Sequence, residues 1–276
     1  MAVQSIDTGI PRGLPAARAS RHAFHGISAL IFVASATGTI VWCGSMSEMG
    51  GMPMPGGWTM SMAWMRMPGQ TWAGAAAAFL GMWTLMMVAM MLPSLVPMLS
   101  RYRHALGCAD TTRLGRLTAI VALGYFCVWS AIGLLAFPLG VALAECEMRQ
   151  PALSRAVPIA AGAVVLIAGA FQFSAWKARQ LACCRAVCGA GGALRANART
   201  AWRHGLRLGL HCSYCCAGPT AVLLVLGVMD LGAMALVTAA ISAERLAPAG
   251  ERVARTIGVA WIATGLVLIA RASGLV

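Results

Sequence analysis

Charge is scarce in this 276-residue chain, and negative charge is scarcest: 11% of residues are charged, with 8 Asp and Glu against 21 Lys and Arg. A water-soluble domain of this length would not need 59% hydrophobic residues beside so little charge, whereas a polytopic membrane protein would. The net charge of +13 is scattered in short segments between apolar runs, so the basic residues read as topology signals and not as a nucleic-acid surface. A phosphate-cradling Gly-x-x-x-x-Gly-Lys-Ser/Thr is missing, which argues against a nucleotide-driven pump. There is no second Cys-x-x-Cys to close a tetrahedral zinc site, and no internal repeat of solenoid period.

What the chain has is long apolar runs. Hydropathy places spans at 26 to 42, 73 to 99, 117 to 143, 156 to 176, 208 to 229, 231 to 246 and 256 to 270, each measured against the ~17 to 25 residues that cross a bilayer core. The expected fold is all-α, a polytopic membrane bundle of six to seven transmembrane helices. The sixth run is short enough to be the return arm of a hairpin. With the N-terminus inside, 17 of the 21 basic residues fall on one side, and only Arg66, Arg149, Arg155 and Arg271 fall on the other. The positive-inside rule therefore favours N-in and C-out in the inner, cytoplasmic membrane of a cell. The chain divides into a cytoplasmic segment (1 to 25), a first transmembrane helix (26 to 42), an outward-facing Met-rich loop (43 to 71) and a helix-bundle domain (72 to 276) with an Arg/Cys-rich cytoplasmic loop at 177 to 207. An Ala-x-Ala pattern after the first apolar run also fits a signal peptide, whose cleavage would leave the remaining topology unchanged.

Sulfur is abundant, with 18 Met and 10 Cys. The outer loop holds Met46, Met49, Met52, Met54, Met60, Met62, Met65 and Met67 among Gly, Pro and Ser, and Met49, Met52 and Met54 are its nominated ligands. Thioethers are neutral, soft and more tolerant of oxidation than thiolates, so such an array suits Cu(I) or Ag(I) in an oxidising compartment. The competing reading is a hydrophobic loop resting with its Trp residues on the membrane interface.

A second cluster lies on the span at 73 to 99, where Met87, Met90 and Met91 share one helical face. Met packs well in any bundle, so this stripe also reads as core. Pro93 and Pro97 remove backbone donors and open carbonyls for water, Ser94 or a neighbouring helix to satisfy. The third cluster, Cys212, Cys215 and Cys216, has offsets that place its thiols on one face for a trigonal or digonal soft ion, or for a disulfide. Counted from the basic boundaries, Met91 and Cys215 both lie about 12 Å into the membrane. Cys183, Cys184 and Cys188 sit in the basic cytoplasmic segment, where neighbouring Arg179 and Arg185 favour thiolates and Cys184 is a candidate receiver of metal.

Three separated motifs carry a family resemblance: Phe79-Leu-Gly-Met-Trp-Thr-Leu-Met-Met-Val-Ala-Met-Met-Leu-Pro-Ser94, Phe171-Gln-Phe-Ser-Ala-Trp-Lys177 with Cys184-Arg185, and Gly209-Leu-His-Cys-Ser-Tyr-Cys-Cys216 with Gly227-Val-Met229 and Glu244-Arg245. Over roughly 75 to 270 the chain resembles the predicted metal-binding integral membrane proteins, a domain family of unknown function that is also labelled copper chaperone. The resemblance implies a helical membrane fold and a metal role, with copper foremost. It carries over Met90, Met91, Pro93, Gln172, Lys177, Cys184, Cys212, Cys215, Cys216 and Glu244. The chain departs from the family pattern at Ala217 in place of Trp, Asp230 in place of Asn and Arg245 in place of Lys, and the outer Met loop lies outside the resemblance.

The leading expectation is a non-enzymatic copper chaperone or transporter that takes Cu(I) from outer Met residues, passes it along Met87, Met90 and Met91 to Cys212, Cys215 and Cys216, and presents it near Cys184. Glu244, so near the hydrocarbon, is expected to face a cavity or to pair with Lys177 or Arg207. Expected partners are the lipid bilayer, a soluble copper chaperone or a copper-requiring membrane oxidase, with no nucleic acid. The alternatives are a membrane thiol-disulfide oxidoreductase using Cys212 and Cys215, a mercury-type thiol transporter, and a structural subunit of a membrane complex.

Overall fold

The structure is a computed structural model that describes residues 13 to 48, 50 to 107, 110 to 186 and 196 to 275, with 13 to 17 and 184 to 186 described as backbone only. Its elements in chain order are α1 (Gly13–Glu48), β1 (Met52–Met54), β2 (Trp58–Met60), a 3-10 turn (Met62–Trp64), α2 (Trp72–Leu106), α3 (Thr111–Arg149), α4 (Pro151–Phe171), α5 (Ala175–Ala186), α6 (Ala198–Leu226), α7 (Leu231–Leu246) and α8 (Gly250–Ala272). Helix starts follow the local chemistry: Thr71, Asp110, Asn197 and Asp230 each accept a first-turn backbone N–H. Gly107, in the left-handed region at φ 54°, ends α2.

Six of these helices, α1, α2, α3, α4, α6 and α8, are long and apolar enough to cross a membrane. Their outward faces carry exposed Leu30, Leu135, Ile167, Val259 and Leu266, so the bundle presents hydrocarbon on its outside as a lipid-facing protein must. The remaining apolar helix, α7, has 16 residues and a rise of about 24 Å. It runs from the turn bearing Met229, whose Sδ lies 3.9 Å from Cys43 Sγ of α1, to Glu244, which meets Lys177 of α5. The two ends of the bundle are thus the hairpin end and the α5 end.

Two expected loops are partly ordered elements. The Met-rich stretch opens with the last turn of α1 and continues as a two-stranded hairpin that pairs Met52 with Met60 and Met54 with Trp58. Gly56 and Gly57 take φ of 108° and 76° at its tip, a turn that residues with a Cβ resist. The hairpin is tied down: Trp58 Nε1 donates to Ser154 O at 2.9 Å, and Ser154 Oγ to Pro55 O at 3.0 Å. In the Arg/Cys-rich segment, Ala175 to Ala186 is helical, as its Ala, Leu, Arg and Gln content favours.

Glycine sets the spacing of the bundle. A Cβ on Gly205 of α6 would collide with Val121 O of α3, and one on Gly209 would lie 2.9 Å from Tyr125 O. α3 and α6 therefore run parallel and nearly in backbone contact. α4 and α8 pack antiparallel in the same way, with Gly162 against Gly265 and Gly169 against Gly258. The tight α3–α6 seam brings Tyr125 to the Cys212 turn.

Candidate metal centre

Cys212, Cys215 and Cys216 of α6 are buried, at 0%, 1% and 2% exposure. They belong to one continuous core with Met87, Met90 and Met91, which are buried on α2. Cys212 is the hub. Its Sγ lies 2.9 Å from Tyr125 Oη, accepts from Arg245 Nη1 at 3.0 Å, and stands 3.8 Å from Cys216 Sγ. The same guanidinium donates from Nη1 to Ser94 Oγ at 3.0 Å and from Nη2 to Met98 Sδ at 3.2 Å. Arg245 thus joins the thiol of α6 to the C-terminal half of α2, while Ser94 Oγ donates to Met91 O at 3.0 Å. α2 runs through Pro93 without a break in the helix.

Beside this hub lies a buried ion pair. Lys177 Nζ is 2.7 Å from Glu244 Oε2, with both side chains 2% exposed, and Gln172 Nε2 donates to Glu244 Oε1 at 2.7 Å. The pairing joins α5 to α7 through one of the two partners expected for Glu244. Lys177 Nζ also donates to Cys215 O at 2.7 Å. That bond has a cause four residues on: Pro219 of α6 has no N–H to give the carbonyl of Cys215, and Lys177 supplies the missing donor. Two opposite charges persist in such a dry setting only when paired and hydrogen-bonded, and here the carboxylate receives Lys177 and Gln172 while the ammonium also reaches Cys215 O.

Among the described residues no group of three or more His, Cys, Asp or Glu side chains is arranged to hold one metal ion. Cys216 lies beside both Cys212, at 3.8 Å between sulfurs, and Cys215, while Tyr125 and Arg245 hold the Cys212 sulfur.

The other nominated residues separate. Met54 is buried against Met60 and Ala144, and Met52 packs beside them, so both contribute to the hairpin's own small core. Met49 lies outside the described residues. Cys184 lies on the backbone of α5, with its side chain outside the described residues; neighbouring Cys183 is exposed. Tyr125, Arg245 and Met98 were not nominated for the site, and Ser94, expected only as a partner for a freed carbonyl, also receives Arg245. A signal existed for Arg245, because an arginine closing an apolar helix invites a search for its partner, and for Lys177, because Pro219 stands four residues after Cys215.

Fold and site together define a polytopic, all-α bundle with a buried thiol pair under a guanidinium. The family model described as PpoB2, copper chaperone, matches residues 80 to 268, and the chain belongs to that family. No curated protein and no solved structure matches the chain. The matched region contains Cys212, Cys216, Tyr125, Arg245 and the Lys177–Glu244 pair but leaves out the hairpin.

Proposed function

We propose that this protein is a carrier of Cu(I), not a catalyst, and that it holds the ion between the sulfurs of Cys212 and Cys216 in the cytoplasmic membrane, with its N-terminus inside. One observation carries this reading: the Cys212 sulfur sits in a dry core with its hydrogen-bonding partners already in place, one of them a cation. Soft sulfur donors select Cu(I). A Cu(I) ion between two thiolates carries one negative charge overall, and Arg245 cancels it. The same pair holding a divalent ion would be neutral by itself and would offer the Arg245 guanidinium no net negative charge to offset. Charge balance therefore favours Cu(I) over Hg(II), the ion of the mercury-type reading.

Buried Met82, Met86, Met87, Met90 and Met91 supply a route to this pair, with each four-residue step along α2 advancing about 6 Å. Exchange between thioethers of similar softness needs no nucleotide, so a copper gradient and the acceptor set the direction. The acceptor is a soluble copper chaperone or a copper-requiring membrane oxidase. A test is equilibrium Cu(I) binding to detergent-purified protein under reducing conditions. Tight binding that disappears in Cys212→Ser/Cys216→Ser supports the reading. Unchanged binding, together with quinone-dependent dithiol oxidation by the parent, would transfer the function to a thiol-disulfide oxidoreductase.

A further inference from the structure

Six methionines from separate parts of the chain surround one cavity at the hairpin end. Met46 comes from α1, Met62 from the 3-10 turn, Met65 and Met67 from the loop after it, Met82 from α2 and Met229 from the turn between α6 and α7. The cavity is about 110 Å3 and opens to the surface between half-buried side chains. Methionine's ordinary service in a core is to fill such gaps. Here the thioethers line a space that they leave open.

Chemistry narrows what enters. Among the described residues the lining contains no carboxylate, imidazole or thiol, and its polar member is Gln70. Hard divalent ions need charged oxygen ligands, and zinc takes thiolate or imidazole. Neutral thioethers instead suit soft ions of low charge, and the rings of Trp42 and Phe79 on the same wall favour a cation. Met82, at 2% exposure, forms the buried side, while the other five are half-buried and reach the rim. The frame is built in advance: Trp64 packs onto Gly140 of α3 and against Phe79 of α2, and Gln70 N donates to Met67 O at 3.0 Å.

We infer that this cavity is a second soft-metal site, thioether-only and selective for a monovalent ion such as Cu(I) or Ag(I), which loads the methionine route through Met82. Its existence as a binding site stands independently of the thiol pair; its role as the entrance rests on the function proposed above. Met229 also links it to Cys43, whose buried Sγ lies 3.9 Å from the Met229 sulfur.

The test titrates Ag(I), and separately Cu(I) under reducing conditions, into the full-length protein in detergent against a competing chelator. Three proteins are compared: the parent, Met62→Leu/Met67→Leu/Met229→Leu, and Cys212→Ser/Cys216→Ser. The expected result is two equivalents for the parent, with loss of the weaker one in the Met variant and of the tighter one in the Cys variant. If the Met variant keeps the parent's full stoichiometry and affinities, the cavity site is overturned. If the Cys variant keeps both equivalents while the Met variant loses one, the cavity stands and the thiol-pair function falls. A measurement on the parent alone guards against misfolded variants. Peroxide oxidation mapped by mass spectrometry should show Met62, Met65 and Met67 protected by Ag(I) and not by Zn(II); equal oxidation with and without Ag(I) would overturn the proposal.

Discussion

The hairpin end and the α5 end of this bundle both collect sulfur, yet they embed it in opposite surroundings. At the hairpin end the cavity's sulfurs are thioethers, all but Met82 half-buried, neutral and gathered around open space. At the α5 end they are thiols in a core with less than 3% exposure, ringed by Arg245, Tyr125 and the Lys177–Glu244 pair. A neutral rim binds loosely and releases readily, which suits capture. A sulfur aligned by a guanidinium and a phenol has its charge compensation in place before the ion arrives, which suits retention.

Glu244→Ala should break this contrast most severely. It strands Lys177 as an unpaired buried charge, at a cost of about 3–5 kcal/mol, and thermal unfolding in detergent would report a large drop. Leucine at Met62 or Met67 should cost less than about 1.5 kcal/mol, because the volume is conserved and no charge loses its partner. Comparable losses from the two changes would dissolve the distinction between the ends.

Arg245→Met comes next. It removes the cation beside Cys212 while retaining bulk, and should weaken Cu(I) at the thiol pair by roughly 10- to 100-fold, as loss of an outer-shell partner does. Zn(II) or Hg(II) affinity should fall less, since a divalent bis-thiolate needs no such counter-charge. Equal losses for both charges of metal would show that Arg245 acts through packing alone. Thiols must shed protons to bind metal, so protons compete with the ion and the affinity at the α5 end should rise with pH. The thioether site has no proton to lose and should be flat over the same range. The smallest effect belongs to Tyr125→Phe, which deletes one hydrogen bond worth about 0.5–1.5 kcal/mol to the Cys212 sulfur; a modest weakening of Cu(I) at the thiol pair is expected, with the hairpin end unaffected.

Much of the frame could be read before any coordinates. Hydropathy placed the boundaries of α7 at 231 and 246, because Asp230 caps its start and Ala247-Pro248 follows its end. α5 was harder to see. Its Lys and Arg residues look solvent-bound to any scale that scores charge without partners, although Lys177 was one of two candidate partners for Glu244, 67 residues away, and is the one it meets. The Met loop was visible as composition, but its division was not: Met52 and Met54 alternate along a strand and pack in a hairpin, whereas Met62, Met65 and Met67 follow a turn that faces Met82 and Met229. Distant pairing decides which sulfurs meet, and periodicity along one helix does not contain it.

The most direct test of the central claim is X-ray absorption at the copper edge of the full-length protein loaded with one equivalent of Cu(I), for the parent and for Cys212→Ser. Two sulfur ligands in the parent, replaced by a weaker and altered coordination in the variant, are predicted. Oxygen- or nitrogen-dominated coordination in the parent, or a spectrum unchanged by Cys212→Ser, would contradict a thiol pair that holds the ion.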